Sequence, residues 1–263
     1  MFDALIINFQ LFLLILARVL AMVEVAPLLS SQAIPQPAKI GFALFVSIAV
    51  FPWALKLGYP IPENAANYFL LVLGEVLLGI LLGFFLVIIF AAFQMAGQFF
   101  SLQIGFGASE VFDPLAQIEI PLVGQFLNVM AMFTFLTILG FQKLLLVGVL
   151  RSFQAVKAVD LVTGRQYLLQ TLLGSVAGLF EQSLTISFPI LGTLLLVSVT
   201  MGLLAKAAPQ MNMLMMGFPI SIAATFVILI LAIPFMISAF VHIIEGGFET
   251  LGRILVDLHG GGR

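Results

Sequence analysis

The amino-acid sequence predicts an all-α integral membrane protein of about six apolar, kinked helices. Hydrophobic residues make up 62% of the 263 residues and charged residues only 8%, with a mean hydropathy of +1.24. A soluble domain has about 25% charged residues. Three stretches, residues 76–109, 182–205 and 207–244, carry no charge, and each exceeds the roughly 20 apolar residues that cross a bilayer. Lipid or partner proteins must therefore cover this chain.

The composition also excludes several functional classes. The chain has no cysteine, so it has neither a disulfide framework nor a thiolate metal site. Its formal net charge of −2 provides no basic surface for nucleic acid. The sequence contains no zinc-protease, nucleophile-elbow or phosphate-loop motif and no pair of intramembrane aspartates. We therefore expect neither an enzyme nor a cofactor-binding protein.

Breaks rich in proline, glycine or polar residues divide the chain into the predicted helices. The apolar segments are residues 4–29, 39–57, 65–104, 120–150, 167–205 and 210–245. The first segment is expected to be a retained helix, because Asp3 stands where a signal peptide would have basic residues.

Two of these segments are too long for simple spans. A continuous helix over 65–104 would measure about 60 Å at about 1.5 Å per residue, against a hydrocarbon core of about 30 Å. Segment 167–205 overshoots similarly. Several segments contain prolines, which remove a backbone hydrogen bond and kink a helix; these are Pro27, Pro52, Pro189, Pro219 and Pro234. We therefore expect bent helices of about half length, or segments that do not cross lipid in the ordinary way.

The distribution of basic residues predicts an orientation. The fourth connection and its flanks carry Lys143, Arg151, Lys157 and Arg165, whereas the third connection, 105–121, carries no basic residue. Cytoplasmic connections are enriched in Lys and Arg. With the fourth connection inside, the chain has six spans, both termini in the cytoplasm and residues 105–121 on the outer side.

A polar stripe follows one face of the third segment. Gln94, Gln98, Ser101 and Gly105 recur at i, i+4, i+7 and i+11, within about 60° of the helix circumference. Amide side chains in an apolar setting need a facing helix that hydrogen-bonds them or a watery lumen. The stripe is therefore either an inter-subunit contact or a pore-facing surface.

Small residues and isolated charges mark helix contacts. The pairs Gly79-x₃-Gly83 and Gly174-x₃-Gly178 would let a second helix approach closely. Ionisable residues inside the apolar segments are Arg18, Glu24, Glu75 and Glu181. Arg18 and Glu24 differ by about 120° around one helix, so their partners must come from other segments or chains. They are either structural ion pairs at interfaces or parts of a proton or ion relay.

The loop 105–121 lies between two of the most apolar stretches of the chain. It contains three acids, no base, glycines and prolines, together with apolar residues such as Phe106, Val111 and Phe112. Irregular backbone at membrane depth is tolerated only inside protein or beside water. The loop is therefore either an ordinary outer turn or a segment folded back into a lumen.

Several motifs resemble the R-subunit family of the type III secretion export gate, FliR and its injectisome homologues. The first motifs are Arg18 followed by Pro27, Pro35 and Lys39, and then Gly74-Glu75 with Gly79. The more specific ones are AGQFFSLQIGF (96–106) with Asp113-Pro114, and Pro189 with KAAPQMNMLMMGFP (206–219). The likeness covers nearly the whole chain, and we favour a flagellar over an injectisome member.

This resemblance implies a subunit of a helical, cone-like pore that passes unfolded proteins across the bacterial inner membrane at the flagellar basal body. It implies FliP and FliQ as partner subunits, with FlhB and FlhA nearby and membrane lipid around. The chain would form one membrane domain, in which residues 1–165 resemble a P subunit and residues 166–263 form a Q-like helical hairpin with a cytoplasmic tail.

The same resemblance assigns a role to the polar loop. Residues 105–121 would form the plug of the closed channel, with its central residues at Gly105, Phe106, Gly107, Phe112, Asp113 and Pro114.

Two other interpretations are open at the level of the residues. A small-solute secondary transporter would use Glu75 and Glu181 near the membrane midplane, but related halves are not visible in the sequence. A structural scaffold would use the polar stripe only to grip neighbouring helices.

Overall fold

The apolar segments form helices in the order that the sequence predicts. The computed structural model describes residues 2–104, 122–156, 165–208 and 213–260. Its helices are α1 (Phe2–Val25), α2 (Gln36–Ala54), α3 (Ala65–Ile104), α4 (Leu122–Thr137), α5 (Gly140–Ala155), α6 (Arg165–Ala207) and α7 (Met213–Gly260). No strand occurs in these ranges. Five helices are long and apolar enough to cross a membrane, or six if α4 and α5 count as one bent span. The predicted class, an all-α membrane protein, is confirmed.

The connection between α1 and α2 is shaped by prolines. Pro27 lies in a turn after α1, which ends at Val25, and not inside the first helix as predicted. The residue before a proline is disfavoured in the α conformation, and that residue is Ala26. Pro35 is the N-cap of α2, with extended backbone (φ −65°, ψ 144°). Proline is tolerated at a helix start because the missing N–H has no partner there.

The expectation of half-length helices is wrong for the overlong segments. Helix α3 has 40 residues, α6 has 43 and α7 has 48, each without interruption. Pro189 lies within α6, and both Pro219 and Pro234 lie within α7. One proline removes one backbone hydrogen bond of its helix. In a helix of more than 40 residues the other backbone hydrogen bonds remain, so the helix continues through the proline.

The fourth segment breaks instead, at a place without proline. The chain bends by 72° between α4 and α5, at the two residues that separate them. Leu139 adopts a left-handed conformation with φ 58°, which ends a helix in the way usually seen for glycine. Within α5, residues Leu144–Arg151 form a π-helix, a rare element that is often found at functional sites.

The described chain divides into two compact units. Unit 1 comprises Met1–Ile89, Leu139–Val176 and Glu245–Arg263, and unit 2 comprises Phe90–Ile138 and Ala177–Ile244. These units are interleaved along the chain, so they differ from the division at residues 165 and 166. That division concerns likeness to other subunits and stays a prediction.

Each unit has its own core. In unit 1, α1 supplies the fully buried Leu14, Ile15 and Met22, and Phe12 meets Phe51 of α2 edge to face with ring centroids 5.9 Å apart.

In unit 2 the core is aromatic. The rings of Phe93 and Phe240 lie 4.5 Å apart, and those of Phe90 and Phe135 lie 5.7 Å apart. Aromatic pairs at these distances contribute beyond the area they bury.

The last two helices leave most of their apolar surface uncovered. Only 11% of the most apolar window of α6 and 17% of that of α7 is buried, against 61% for α3. Phe188 and Phe235 are among their exposed side chains. Apolar patches of this extent mark contact with lipid or with other proteins.

Candidate functional site: a buried arginine cluster and a polar helix face

Helix α1 directs a charged residue into the core of unit 1. Its buried positions recur every three or four residues and include Leu14, Arg18 and Met22. Positions with this spacing lie on one helix face. Arg18 therefore shares the face that packs inward, and its side chain is 1% exposed.

Each nitrogen of the Arg18 guanidinium makes a hydrogen bond inside unit 1. Its Nε donates to Oε2 of Glu75 at 2.5 Å, Nη1 donates to the Ser152 hydroxyl at 3.0 Å, and Nη2 donates to the Val156 carbonyl at 3.0 Å. Its central carbon also lies 3.8 Å from the ring centroid of Phe153, a cation–π contact. One side chain thus connects α1, α3 and the end of α5.

The Glu75 carboxylate is satisfied on both oxygens. While Oε2 accepts from Arg18, Oε1 accepts a hydrogen bond from the Tyr59 hydroxyl. Tyr59 follows Gly58, whose left-handed backbone (φ 60°) turns the chain after α2. The Glu75 side chain is 0% exposed. Buried ions are tolerated when they are paired and hydrogen-bonded in this way.

Two glycines of α3 allow the close approach on which this pair depends. A Cβ atom at Gly79 would overlap the Arg18 carbonyl oxygen, and one at Gly83 would lie 2.7 Å from Cβ of Val25. Helix α3 therefore packs on α1 almost backbone to backbone, as the small-residue spacing predicts. Around Gly174 and Gly178, by contrast, such a Cβ would meet no described atom within 4 Å apart from the adjoining backbone of its own helix. The predicted close packing of a helix against Gly174 and Gly178 therefore stays a prediction, and the packing helix would belong to another chain.

A second ion pair fixes the α1–α2 connection. The Nζ atom of Lys39 lies 3.4 Å from Oε2 of Glu24 and donates to the Ser30 carbonyl at 3.1 Å. Lys39 is 5% exposed whereas Glu24 is 37% exposed. The intramembrane charges Arg18 and Glu24 thus both find partners on other segments, and these partners belong to the same chain.

The predicted polar stripe lies in unit 2, beside a tightly packed face of α3. Gln98 is exposed, Gln94 is half-buried, and the Ser101 hydroxyl donates to the Gly97 carbonyl at 2.7 Å. A Cβ atom at Gly97 would overlap the backbone of Gly124 in α4. The amides of Gln94 and Gln98 make no side-chain hydrogen bond within the described residues, and their pore-facing or inter-subunit role stays a prediction.

Comparison with known proteins decides the family. The family model for bacterial export proteins, family 1, matches residues 9–247, which is most of the chain. The chain belongs to this export protein family. The assignment made from the sequence motifs is therefore confirmed.

Several curated relatives of this export-family protein are named as flagellar biosynthetic proteins. The flagellar biosynthetic protein FliR of Bacillus subtilis is 30% identical over 249 residues, covering 94% of this chain and 95% of the relative. The protein of the same name from Borreliella burgdorferi is 31% identical over 247 residues, covering 92% and 89%. That from Escherichia coli is 27% identical over 243 residues, covering 92% of each.

Two of the motifs quoted for the resemblance, Arg18 and Glu75 with Gly79, meet in the arginine cluster of this export protein. Arg18 and Glu75 are 57 residues apart in the sequence, and the fold brings them together in unit 1, where Gly79 lies against the Arg18 carbonyl oxygen. The cluster links α1, α3 and the end of α5 through buried hydrogen bonds. Within the described ranges, no group of three His, Asp or Glu residues could hold a metal ion.

Other predicted site residues are placed differently. Glu181 is exposed on α6, and its carboxylate has no partner among the described residues, so its predicted place at an interface stays a prediction. The predicted plug residues Gly105, Phe106, Gly107, Phe112, Asp113 and Pro114 lie outside the described residues.

Sequence reasoning missed four members of the cluster: Tyr59, Ser152, Phe153 and Val156. No local pattern identifies them, because Ser152 is separated from Arg18 by 134 residues and Val156 by 138. The signal that existed was indirect, since a buried arginine needs several acceptors. A further buried polar atom, Oδ1 of Asn128 in α4, has no hydrogen-bond partner within the part of the chain that the structure describes.

Proposed function

We propose that the chain is a subunit of the flagellar type III protein export gate and helps to form the pore through which unfolded substrates pass. The observation that carries the proposal is the family match over residues 9–247, together with relatives named as flagellar biosynthetic proteins. Membership in an export family does not favour the small-solute carrier. The proposed role is that of a channel wall, without a catalytic step.

Sibling subunits are the proposed cover for the long helices. Helices α6 and α7 exceed the length of a simple span and bury little of their apolar surface. We place FliP and FliQ against these helices, with FlhB and FlhA as further neighbours and lipid of the inner membrane at the basal body around the assembly. In this arrangement residues 1–165 act as the P-like part, and residues 166–263 act as the Q-like hairpin with its tail.

The conduit is proposed to lie beside the amide face of α3. Gln98 is exposed and Gln94 is half-buried, so both amides can contact water or a neighbouring chain. Residues 105–121 follow α3 directly and are the proposed plug of the closed channel. A long polar face that continues into a glycine-containing segment is the kind of surface expected along a path for unfolded chains. A compact binding pocket for a small solute would have a different shape.

The arginine cluster is proposed to support this wall rather than to conduct. Its charges are neutralised internally, because Arg18 and Glu75 form an ion pair. A proton relay would need water access at one of these groups, whereas both Arg18 and Glu75 are buried. The cluster therefore fixes α1, α3 and the end of α5 as one rigid support.

The first experiment tests the gate itself. Removing the chromosomal gene should abolish motility and the appearance of hook and filament proteins in the medium, and the full-length gene should restore both. Secretion that continues without the gene would refute the proposal.

The second experiment tests the plug. Deletion of residues 106–113 in the assembled gate should raise its ion conductance, and a cysteine at Phe112 should crosslink to a substrate arrested in transit. A cysteine at Phe45, an exposed position on α2, is the control and should not crosslink to it. Unchanged conductance together with equal crosslinking at both positions would refute the plug role of residues 105–121. The assignment of the chain as a gate subunit would still stand.

A further inference from the structure

A cleft in unit 1 gathers charges that the arginine cluster does not use. It has a volume of about 660 Å³ and lies between α5 and the last turns of α7. Its lining residues are Lys143, Val147, Arg151, Glu245, Phe248, Glu249, Gly252, Arg253 and Val256. Sites for small molecules typically have about 300–1,000 Å³.

The charges of the cleft do not balance. Lys143 is paired with Glu245 at 2.7 Å, and Arg253 is paired with Glu249 at 3.7 Å. Arg151 is a third cation, and it makes no ion pair or hydrogen bond within the described residues. Among the described lining residues, three cations against two carboxylates leave one positive charge, and that charge resides on the Arg151 guanidinium.

The position of the cleft along the chain indicates the level of the lipid headgroups. No charged residue occurs from Leu122 to Gln142, and Lys143 follows at once. Likewise, the charge-free stretch that begins at Ala207 ends at Ile244, directly before Glu245. Charges that begin where apolar sequence ends are typical of a membrane interface.

The walls of the cleft combine two kinds of surface. Val147, Phe248 and Val256 provide apolar side chains, while Arg151 and Lys143 provide donors. An arginine fork suits the oxygens of a phosphate group. The π-helix Leu144–Arg151 carries both Val147 and Arg151, and the wider turn of such an element is frequently found at functional sites.

We propose that this cleft binds a phosphate ester anion, with Arg151 as its principal contact. The single net positive charge matches the single negative charge of a phosphodiester, and the apolar walls suit the glycerol and upper acyl carbons of a phospholipid. Basic pockets between helices on the cytoplasmic side of a membrane bind anionic headgroups in this way. This inference does not depend on the proposed export role.

The test measures lipid binding to the full chain, purified in detergent with whatever subunits stay bound. Native mass spectrometry with added phosphatidylglycerol or phosphatidylcholine should show preferential retention of phosphatidylglycerol. Arg151→Gln should weaken that retention about tenfold, as expected for the loss of one charge-assisted hydrogen bond. Arg151→Lys should retain most of it.

Lys56→Gln is the matched control, because Lys56 is exposed, lies outside the cleft and loses the same charge. Its retention of phosphatidylglycerol should equal that of the unchanged protein. Equal losses in Lys56→Gln and Arg151→Gln would overturn the proposal, as would equal retention of the two lipids.

A second variant keeps the test valid if Arg151→Gln fails to fold. A Cβ atom at Gly252 would lie 3.8 Å from Nη1 of Arg151, so Gly252→Asp can place a carboxylate beside the guanidinium while Arg151 stays in place. Phosphatidylglycerol retention should fall in this variant as well, and undiminished retention would overturn the proposal.

Inorganic phosphate distinguishes the source of the ligand. If millimolar phosphate displaces phosphatidylglycerol from the unchanged protein, the cleft recognises the phosphate group alone and free phosphate can occupy it. If it does not, the apolar walls contribute and the lipid is the ligand. Both results support the site, whereas no Arg151-dependent binding of either probe would refute it.

Discussion

The Nε atom of Arg18 lies 2.5 Å from Oε2 of Glu75, and both side chains are almost completely buried. The pair connects two helices whose backbones touch at Gly79. Removing two ions from water is costly, and their attraction offsets that cost only when the geometry is good and further hydrogen bonds are made. Ser152, Val156 and Tyr59 supply those hydrogen bonds.

Loss of one member of this pair should be severe. Arg18→Met leaves the Glu75 carboxylate buried without its cation, and the free energy of unfolding should fall by about 3–5 kcal/mol. Unfolding by sodium dodecyl sulfate in detergent micelles, followed by circular dichroism, measures this change. Arg253→Met, at an exposed position, is the control and should change stability by less than about 0.5 kcal/mol.

Replacement of both members should cost less than loss of either one. In the double variant Arg18→Met with Glu75→Leu, no buried charge is left unpaired, and apolar replacements of buried pairs are often neutral. A double variant as unstable as the sum of the two single variants would mean that the pair is not coupled.

The two glycine pairs should respond in opposite directions to alanine. Gly79→Ala places a Cβ against the Arg18 carbonyl oxygen, and the forced separation of α1 and α3 should cost about 1–3 kcal/mol. Gly174→Ala meets no atom within 4 Å among the described residues and should stabilise the helix by up to about 1 kcal/mol. The same unfolding assay compares them, and equal effects would contradict the close approach of α3 to α1.

The two tyrosine hydroxyls should differ in their contributions. Tyr59→Phe removes a donor from a buried carboxylate and should cost about 1.5–3 kcal/mol. Tyr68→Phe removes a hydrogen bond of 3.0 Å to the Gln10 carbonyl and should cost about 0.5–1.5 kcal/mol. If the unfolding midpoints of the two variants coincide, Tyr59 does not support the Glu75 carboxylate.

The ion pair between Lys143 and Glu245 should contribute little to stability. Its atoms are 2.7 Å apart, but the side chains are 34% and 47% exposed. A double-mutant cycle with Lys143→Gln and Glu245→Gln should give a coupling energy of about 0.2–1 kcal/mol, which decreases as salt is added. A coupling of several kcal/mol that is insensitive to salt would show that this pair is shielded from water.

Glu181 should matter for assembly more than for folding of the chain. It is exposed on α6, so Glu181→Gln should change the stability of the isolated chain by less than about 0.5 kcal/mol. If it lies at a subunit interface, the same variant should lower the yield of copurified partner subunits severalfold. Normal copurification would place Glu181 away from the interfaces.

Long-range composition predicted the class and the position of the helices well. The charge-free stretches and the breaks between them correspond to the helices that the structure describes, because a backbone surrounded by apolar material must satisfy its own hydrogen bonds. Local signals were less reliable. Pro189 and Pro234 predicted broken helices that are continuous, while the sharp bend lies at Leu139, where no proline occurs. A single lost hydrogen bond is a small term in a helix of many turns, and the surrounding packing decides whether the helix bends.

The sequence by itself determined that this is a helical membrane protein of the export family, because hydrophobicity and motif spacing depend only on the order of residues along the chain. It also identified Arg18 and Glu75 as charges in need of partners. Only the tertiary structure decided that they are partners of each other, with Tyr59 and Ser152 completing the cluster. The reason is physical: such pairing depends on how closely two helices approach, and that distance is set by the packing of Gly79 against α1, many residues away from Arg18 along the chain.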